Sequence, residues 1–168
     1  VSRRAFLTAL GGLALTGGGY AAGACRGALA QVESRLNGQS AVIRTTVGAL
    51  EYAVAGSGPP LMMIHGTGGG FDQGLLFASK VRDRGFQIIA PSRFGYLRSA
   101  FPQDASPARQ ADALVELLDH LGLGRIAVAG GSAGALSAAE FALRHSDRCS
   151  HLVLMVPAAN LAGRDPVA

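Results

Sequence analysis

Apolar positions come in short blocks separated by polar or glycine-rich stretches along most of this chain. Leu61-Met62-Met63-Ile64, Ile126-Ala127-Val128-Ala129 and Leu152-Val153-Leu154-Met155-Val156 are nearly uninterrupted apolar runs. That is the pattern of strands covered on both faces. Phe86-Gln87-Ile88-Ile89-Ala90 reads as a further strand. Between these runs the period changes. Ala111, Leu114, Val115, Leu118 and Leu121 recur on one helical face. Ser106 stands before that helix as N-cap, Pro107 occupies its first position, and Gly122 and Gly124 end it. Asp72 is positioned to cap a helix running to about Arg84, with Gly85 beyond it. A third helix is predicted from about Ala133 to His145. Upstream, Ala41–Val47 and Leu50–Val54 read as an antiparallel hairpin turning at Gly48-Ala49, followed by a turn over Gly56–Pro60. Strand and helix alternation with apolar strands predicts an α/β fold on a parallel sheet.

The first 30 residues follow a different rule. Arg3-Arg4 precede an uncharged stretch from Ala5 to Ala24 that holds six glycines and is only moderately apolar. A charged start followed by an apolar segment is the layout of an export signal. Ser2-Arg3-Arg4-Ala5-Phe6-Leu7 resembles a twin-arginine signal, departing at Thr8 where that signal favours Lys. Four outcomes stay open: cleavage after Ala24, cleavage after Ala30, lipidation of Cys25, because Ala22-Gly23-Ala24-Cys25 resembles a lipobox, or an uncleaved membrane anchor. The expected organisation is a signal over 1–30, a linker over 31–40 and a domain over 41–168. The expected location is outside the cytoplasmic membrane, with the twin-arginine translocase as partner during export.

Composition narrows the function classes. The chain has 168 residues, 15 Lys+Arg against 11 Asp+Glu, and 24 Gly. Without Arg3, Arg4 and Arg26 the balance is 12 basic against 11 acidic residues. No Lys/Arg cluster with interleaved aromatics remains, so a nucleic-acid partner is not expected. Two cysteines exclude a disulfide-stapled miniprotein and a multi-cysteine metal site. Cys149 opens an apolar run and reads as a buried small hydrophobe, unpaired with Cys25. No cofactor and no metal are expected.

Two glycine-rich segments carry candidate chemistry. Gly130-Gly131-Ser132-Ala133-Gly134 fits G-x-S-x-G directly between a predicted strand and a predicted helix. A sharp turn there needs small flanking residues, which Gly130 and Gly134 supply. It also lifts the serine hydroxyl above the strand's carboxyl end, beside the free N–H groups of a helix start. His65-Gly66-Thr67-Gly68-Gly69-Gly70 follows the strand Leu61–Ile64. Its glycine spacing does not match a dinucleotide fingerprint, and it lacks the Gly-Lys-Ser/Thr end of a P-loop. It reads as a loop whose N–H groups face a ligand.

Together these segments resemble the α/β-hydrolase fold family over roughly residues 41–160. The resemblance implies a three-layer sandwich with a mostly parallel sheet and an antiparallel N-terminal hairpin. It implies Ser132 as nucleophile and the backbone N–H groups of Thr67 and Ala133 as oxyanion hole. His65, Gly66, Gly68, Gly130 and Gly134 would support the two loops. In the turn Ala90–Ser99, Ser92 stands where the family usually has Asp, and Leu97 where it usually has its second Gly. A serine nucleophile implies acyl transfer on a small carboxylic-ester or related substrate.

The family's order is Ser, then Asp or Glu, then His. After Ser132 the acids are Glu140, Asp147 and Asp165, and the histidines are His145 and His151. Only Asp165 follows the last predicted strand, and no histidine follows it. The chain is therefore expected to lack the catalytic histidine and to stop before the last strands of the sheet. The expectation is an exported serine hydrolase present as its N-terminal portion, inactive by itself. The alternative is a non-catalytic α/β-hydrolase-like binding module or decayed fragment.

Overall fold

In a computed structural model the described residues are 38–158, together with Gly27, Ser34 and Leu36. The chain divides into two compact units, Val1–Gln39 and Ser40–Ala168. In the first, Gly27, Ser34 and Leu36 have helical backbone, and Gln39 N–H donates to Leu36 O at 3.2 Å. The export-signal residues, both cleavage points, Cys25 and Asp165 lie outside the described residues. Among the described residues no helix is long and apolar enough to cross a membrane.

The second unit is built on six strands: β1 (Ala41–Thr45), β2 (Gly48–Ala55), β3 (Pro60–Ile64), β4 (Gln87–Pro91), β5 (Ile126–Gly131) and β6 (Cys149–Met155). Their spatial order is β1-β2-β4-β3-β5-β6. β2 pairs antiparallel with β1 and β4, while β4–β3, β3–β5 and β5–β6 are parallel. The predicted α/β sheet with an antiparallel N-terminal pair is thus the sheet that forms.

Four helices are described: α1 (Phe71–Phe77), α2 (Ser79–Arg82), α3 (Pro107–His120) and α4 (Gly134–Arg144). The connection from β3 to β4 steps one way along the sheet, and those from β4 to β5 and β5 to β6 step the other way. Right-handed crossovers therefore place α1 on one face and α3 and α4 on the opposite face. On the α3/α4 side, Met62, Ile64, Ile89 and Val128 pack against Leu114, Leu117, Leu118 and Phe141, with Cys149 at the margin. Val115 and Leu121 are only partly buried there, and Leu117 takes the central place. On the other side α1 lies close on the sheet: a Cβ on Gly74 would come within 2.9 Å of Met63 O.

Three boundaries differ from the sequence expectation. The hairpin turns at Thr46-Val47, two residues early, with Thr45 opposite Gly48. The Thr45 hydroxyl sets this, donating to Gly48 O at 2.8 Å and accepting Val47 N–H at 3.4 Å. Asp72 is not the N-cap of α1. Gly70 is, because Ser92 Oγ accepts Phe71 N–H at 3.0 Å and starts the helix earlier. Asp72 Oδ1 instead accepts Gly70 N–H at 2.8 Å from inside the first turn. The single helix expected to Arg84 breaks at Ala78 into α1 and α2. Only Phe71, Gly74 and Ala78 reach the sheet at helical spacing, and Leu76 and Phe77 project outward. At the other end, Ser106 and Pro107 cap α3 as expected, with Ser106 Oγ accepting Arg109 N–H.

β6 forms one edge of the described sheet, with Leu152, Val153 and Leu154 each between 41% and 48% exposed. An apolar strand with one open hydrogen-bonding side invites pairing with another chain. The 168-residue chain expressed alone is expected to self-associate, measured by sedimentation velocity. A monodisperse monomer with a cooperative melt would contradict this.

Candidate active site

β5 ends at Gly131 and α4 begins at Gly134, so Ser132 and Ala133 alone turn the chain. Ser132 adopts φ +49° and is exposed. That left-handed backbone costs an L-residue roughly 1–2 kcal/mol. It is held from both sides. Ser132 N–H donates to Met155 O at 2.9 Å, and Ser132 O accepts from Ala135 N at 3.0 Å and Ala158 N at 3.2 Å. Tight packing fixes the turn. A Cβ on Gly130 would meet Ala138 Cβ at 2.7 Å, and one on Gly134 would run into the carbonyls of Ile64 and His65.

That second contact brings the start of α4 against the 65–70 loop. A Cβ on Gly66 would stand 3.3 Å from Ser132 Cβ, so the loop passes directly beside the serine. Among the described residues neither Thr67 N–H nor Ala133 N–H has a hydrogen-bond acceptor. Gly68 lies against the Gln73 amide, where a Cβ would come within 2.8 Å of its nitrogen.

The loop is anchored from beneath. His65 is fully buried, with Nε2 accepting Arg93 N–H at 2.8 Å. Its proton therefore sits on Nδ1 and is donated to Gly66 O at 2.7 Å. Burial pushes the His65 pKa down to about 4, and the nearby Arg93 charge adds to the fall against the raising effect of the Gly66 bond. His65 is thus a neutral strut with both nitrogens engaged. Gln73 Oε1 accepts Gly66 N–H at 2.9 Å, and Tyr96 Oη donates to Thr67 O at 3.4 Å.

Further back, a buried carboxylate ties the loops to the sheet. Glu51 on β2 is 2% exposed. Its Oε1 accepts Arg98 Nε at 2.7 Å and Ser40 Oγ at 2.8 Å, and its Oε2 accepts Ser92 Oγ and Arg98 N, each at 3.1 Å. Burial raises the carboxyl's pKa, but these hydrogen bonds outweigh it and hold it below the ordinary value. Ser92 passes the restraint on by accepting Phe71 N–H. Leu97, at φ +50°, makes the same left-handed bend that a glycine would make there.

In front of the serine lies an open cleft of about 370 Å³ lined by Phe77, Gly131, Ser132, Met155 and Val156. The remaining described histidines lie elsewhere. His145 Nε2 is 2.9 Å from Asp112 Oδ1 just past the C-terminal end of α4, His120 closes α3, and His151 is paired in register with Ala127 near the start of β5. All three belong to the end of the parallel strands away from Ser132. Glu140 lies within α4 and Asp147 just beyond it, so neither joins the serine's turn.

The sequence reading missed Gln73, Glu51, Arg98 and the cleft walls Phe77 and Met155. A glutamine three residues past a glycine-rich loop, in the first turn of a helix, is a usable signal for Gln73. Glu51 offers none, because its neighbours alternate like those of a half-exposed strand.

A family model described as alpha/beta hydrolase fold matches residues 59–166. The chain belongs to the α/β-hydrolase fold family. The α/β-hydrolase of Nakamurella multipartita superimposes with a TM-score of 0.69 at 30% identity, covering 77% of this chain and 45% of that one. A thermophilic esterase from Thermogutta terrifontis gives 0.59 at 30% identity, covering 69% and 44%. In sequence, the chain is 35% identical over 107 residues to the uncharacterized hydrolase YcgS of Bacillus subtilis, covering 64% of this chain and 37% of that protein. It is 36% identical over 107 residues to a 2-hydroxymuconate semialdehyde hydrolase of a Pseudomonas strain, covering 60% and 37%. This α/β-hydrolase chain thus spans 37–45% of the length of these relatives.

Proposed function

We propose that the chain carries the nucleophile and oxyanion half of an exported serine hydrolase acting on carboxylic esters or related acyl substrates. The observation that carries this reading is the exposed Ser132 at φ +49°, flanked by the loop that starts at Gly66, with the N–H groups of Ala133 and Thr67 lacking acceptors among the described residues. Strain of this kind persists where the surroundings impose it and is concentrated at functional sites. In the proposed reaction Ser132 Oγ attacks the substrate carbonyl carbon, and its proton passes to a general base. The carbonyl oxygen takes the negative charge and is held by the two N–H groups. Collapse expels the alcohol and leaves an acyl-enzyme, which water then hydrolyses. The apolar walls Phe77, Met155 and Val156 suit an apolar acyl or alkyl group. Three of the named relatives are described as hydrolases, one of them an esterase, which supports the same reading.

His65 is spoken for, and the other described histidines belong to the far end of the sheet. The base and its acid are therefore proposed to come from chain beyond the described residues. The placement of these histidines is also what favours the second reading, a non-catalytic binding module. Incubating the full-length protein with p-nitrophenyl acetate and examining it by mass spectrometry separates the two. An acyl adduct on the peptide containing Ser132 is expected, and turnover without any adduct there would remove the serine assignment.

Export by the twin-arginine route is proposed from Arg3-Arg4 and the weakly apolar segment behind them. Exchanging both arginines for lysine in a reporter fusion should block translocation. Unchanged translocation would leave a general secretory signal or an anchor.

A further inference from the structure

A second cavity, of about 190 Å³, shares no wall with the cleft at Ser132. It is partly open to solvent and is lined by Arg93, Phe94, Tyr96 and Phe101 of the turn after β4, by Ala105, Pro107 and Gln110 at the start of α3, and by Ser137 of α4.

Its charged side chain is positive, and its unpartnered polar atom among the described residues is a donor. Gln110 is 3% exposed, and its Oε1 accepts Phe94 N–H at 2.7 Å. That bond fixes the amide orientation, since only the oxygen can accept. The amide nitrogen Nε2 is left buried and without a partner, alone in this among the described residues. Buried donors in native structures are almost always paired, so an isolated one marks a place where an acceptor belongs. Arg93 supplies a fixed positive charge. Its guanidinium lies 5.5 Å from the Tyr96 ring centre and gives one N–H to Gly66 O at 3.3 Å. Among the described residues it pairs with no carboxylate. Ser137 adds a buried hydroxyl, and none of the wall residues is acidic. The other walls, Phe94, Phe101, Ala105 and Pro107, are apolar.

We propose that this cavity binds a small monocarboxylate with an apolar body, aryl or short-chain. Its carboxylate would accept from Gln110 Nε2 and the Arg93 guanidinium, and its body would lie against Phe94, Phe101 and Pro107. A cation is disfavoured by the fixed charge. Inorganic phosphate would leave the apolar half unfilled. The volume fits, since a cavity of roughly 150 Å³ takes a benzene ring. The site does not depend on the role of Ser132.

The test titrates the full-length protein with benzoate, and with benzamide as a neutral isostere, by calorimetry and by ¹⁵N–¹H spectra. Benzoate is expected to saturate and to move the Gln110 side-chain amide signals, with benzamide at least about tenfold weaker. Gln110→Glu keeps an acceptor for Phe94 N–H but places a carboxylate where the donor was, and should weaken benzoate at least about tenfold. If that variant does not fold, the wild-type Gln110 signals and the benzoate–benzamide contrast decide alone. Absence of saturation, equal binding of the two probes, saturation that leaves the Gln110 signals unmoved, or a folded Gln110→Glu that binds benzoate unchanged would overturn the proposal.

Discussion

Ser132→Ala in the full-length protein is expected to lower ester hydrolysis by about 10⁴–10⁶-fold and to abolish labelling by a fluorophosphonate. The reason is geometric. Ser132 Oγ stands on a turn that Gly130 and Gly134 allow to approach the 65–70 loop, and the N–H groups of Thr67 and Ala133 have no acceptor among the described residues. Removing the hydroxyl leaves those donors in place, so a small residual rate over water should survive. Ser132→Gly offers a second reading of the same site. Glycine accepts φ +49° without the penalty a serine meets, so this variant should match or exceed the wild type in stability by up to about 1 kcal/mol while being equally inactive. A Ser132→Ala protein that retains hydrolysis or labelling would show that the nucleophile lies elsewhere.

The second large effect is acid destabilisation through His65. Its folded pKa of about 4 lies below the unfolded value of about 6.5, so the folded state favours the neutral ring. The stability this contributes is fully present above pH 6.5. It is lost as pH falls from there towards 4, at a slope approaching about 1.4 kcal/mol per pH unit. Urea unfolding of the wild type and of His65→Asn between pH 4.5 and 7.5 isolates the term, because the variant keeps every other titratable group. The variant should be less stable at pH 7.5, and the difference should shrink as pH falls. A constant difference across the range would mean that His65 is not held neutral.

Much of this architecture is legible in the sequence for identifiable reasons. Leu61-Met62-Met63-Ile64 is buried on both faces, and such a strand has no polar position to hide behind. The turn from β5 into α4 is legible because close approach of α4 to β3 tolerates no side chain at Gly134, which leaves a glycine signature. What escapes is set by distant parts of the chain. Leu50-Glu51-Tyr52 alternates as a half-exposed strand should, yet Glu51 is buried because the 92–99 turn folds over it and brings Arg98 and Ser92. Gln110 sits on the apolar side of α3 for a similar reason: the backbone of Phe94 needs its oxygen. The break at Ala78 was hidden by Leu75-Leu76-Phe77, an apolar run in which Phe77 serves the cleft rather than the core.

The position of β3 has a consequence for synthesis on the ribosome. Both of its neighbours, β4 and β5, come later in the chain. Gly131, the end of β5, follows Ile64 by 67 residues. At translation rates of about 5–20 residues per second, that interval is roughly 3–13 s. Throughout it, Leu61–Ile64 is an apolar segment with at least one unpaired side, long compared with the about 1–10 μs in which a hairpin such as β1–β2 closes. Among the described strands, buried β3 is thus the one for which the nascent chain waits longest to supply both neighbours.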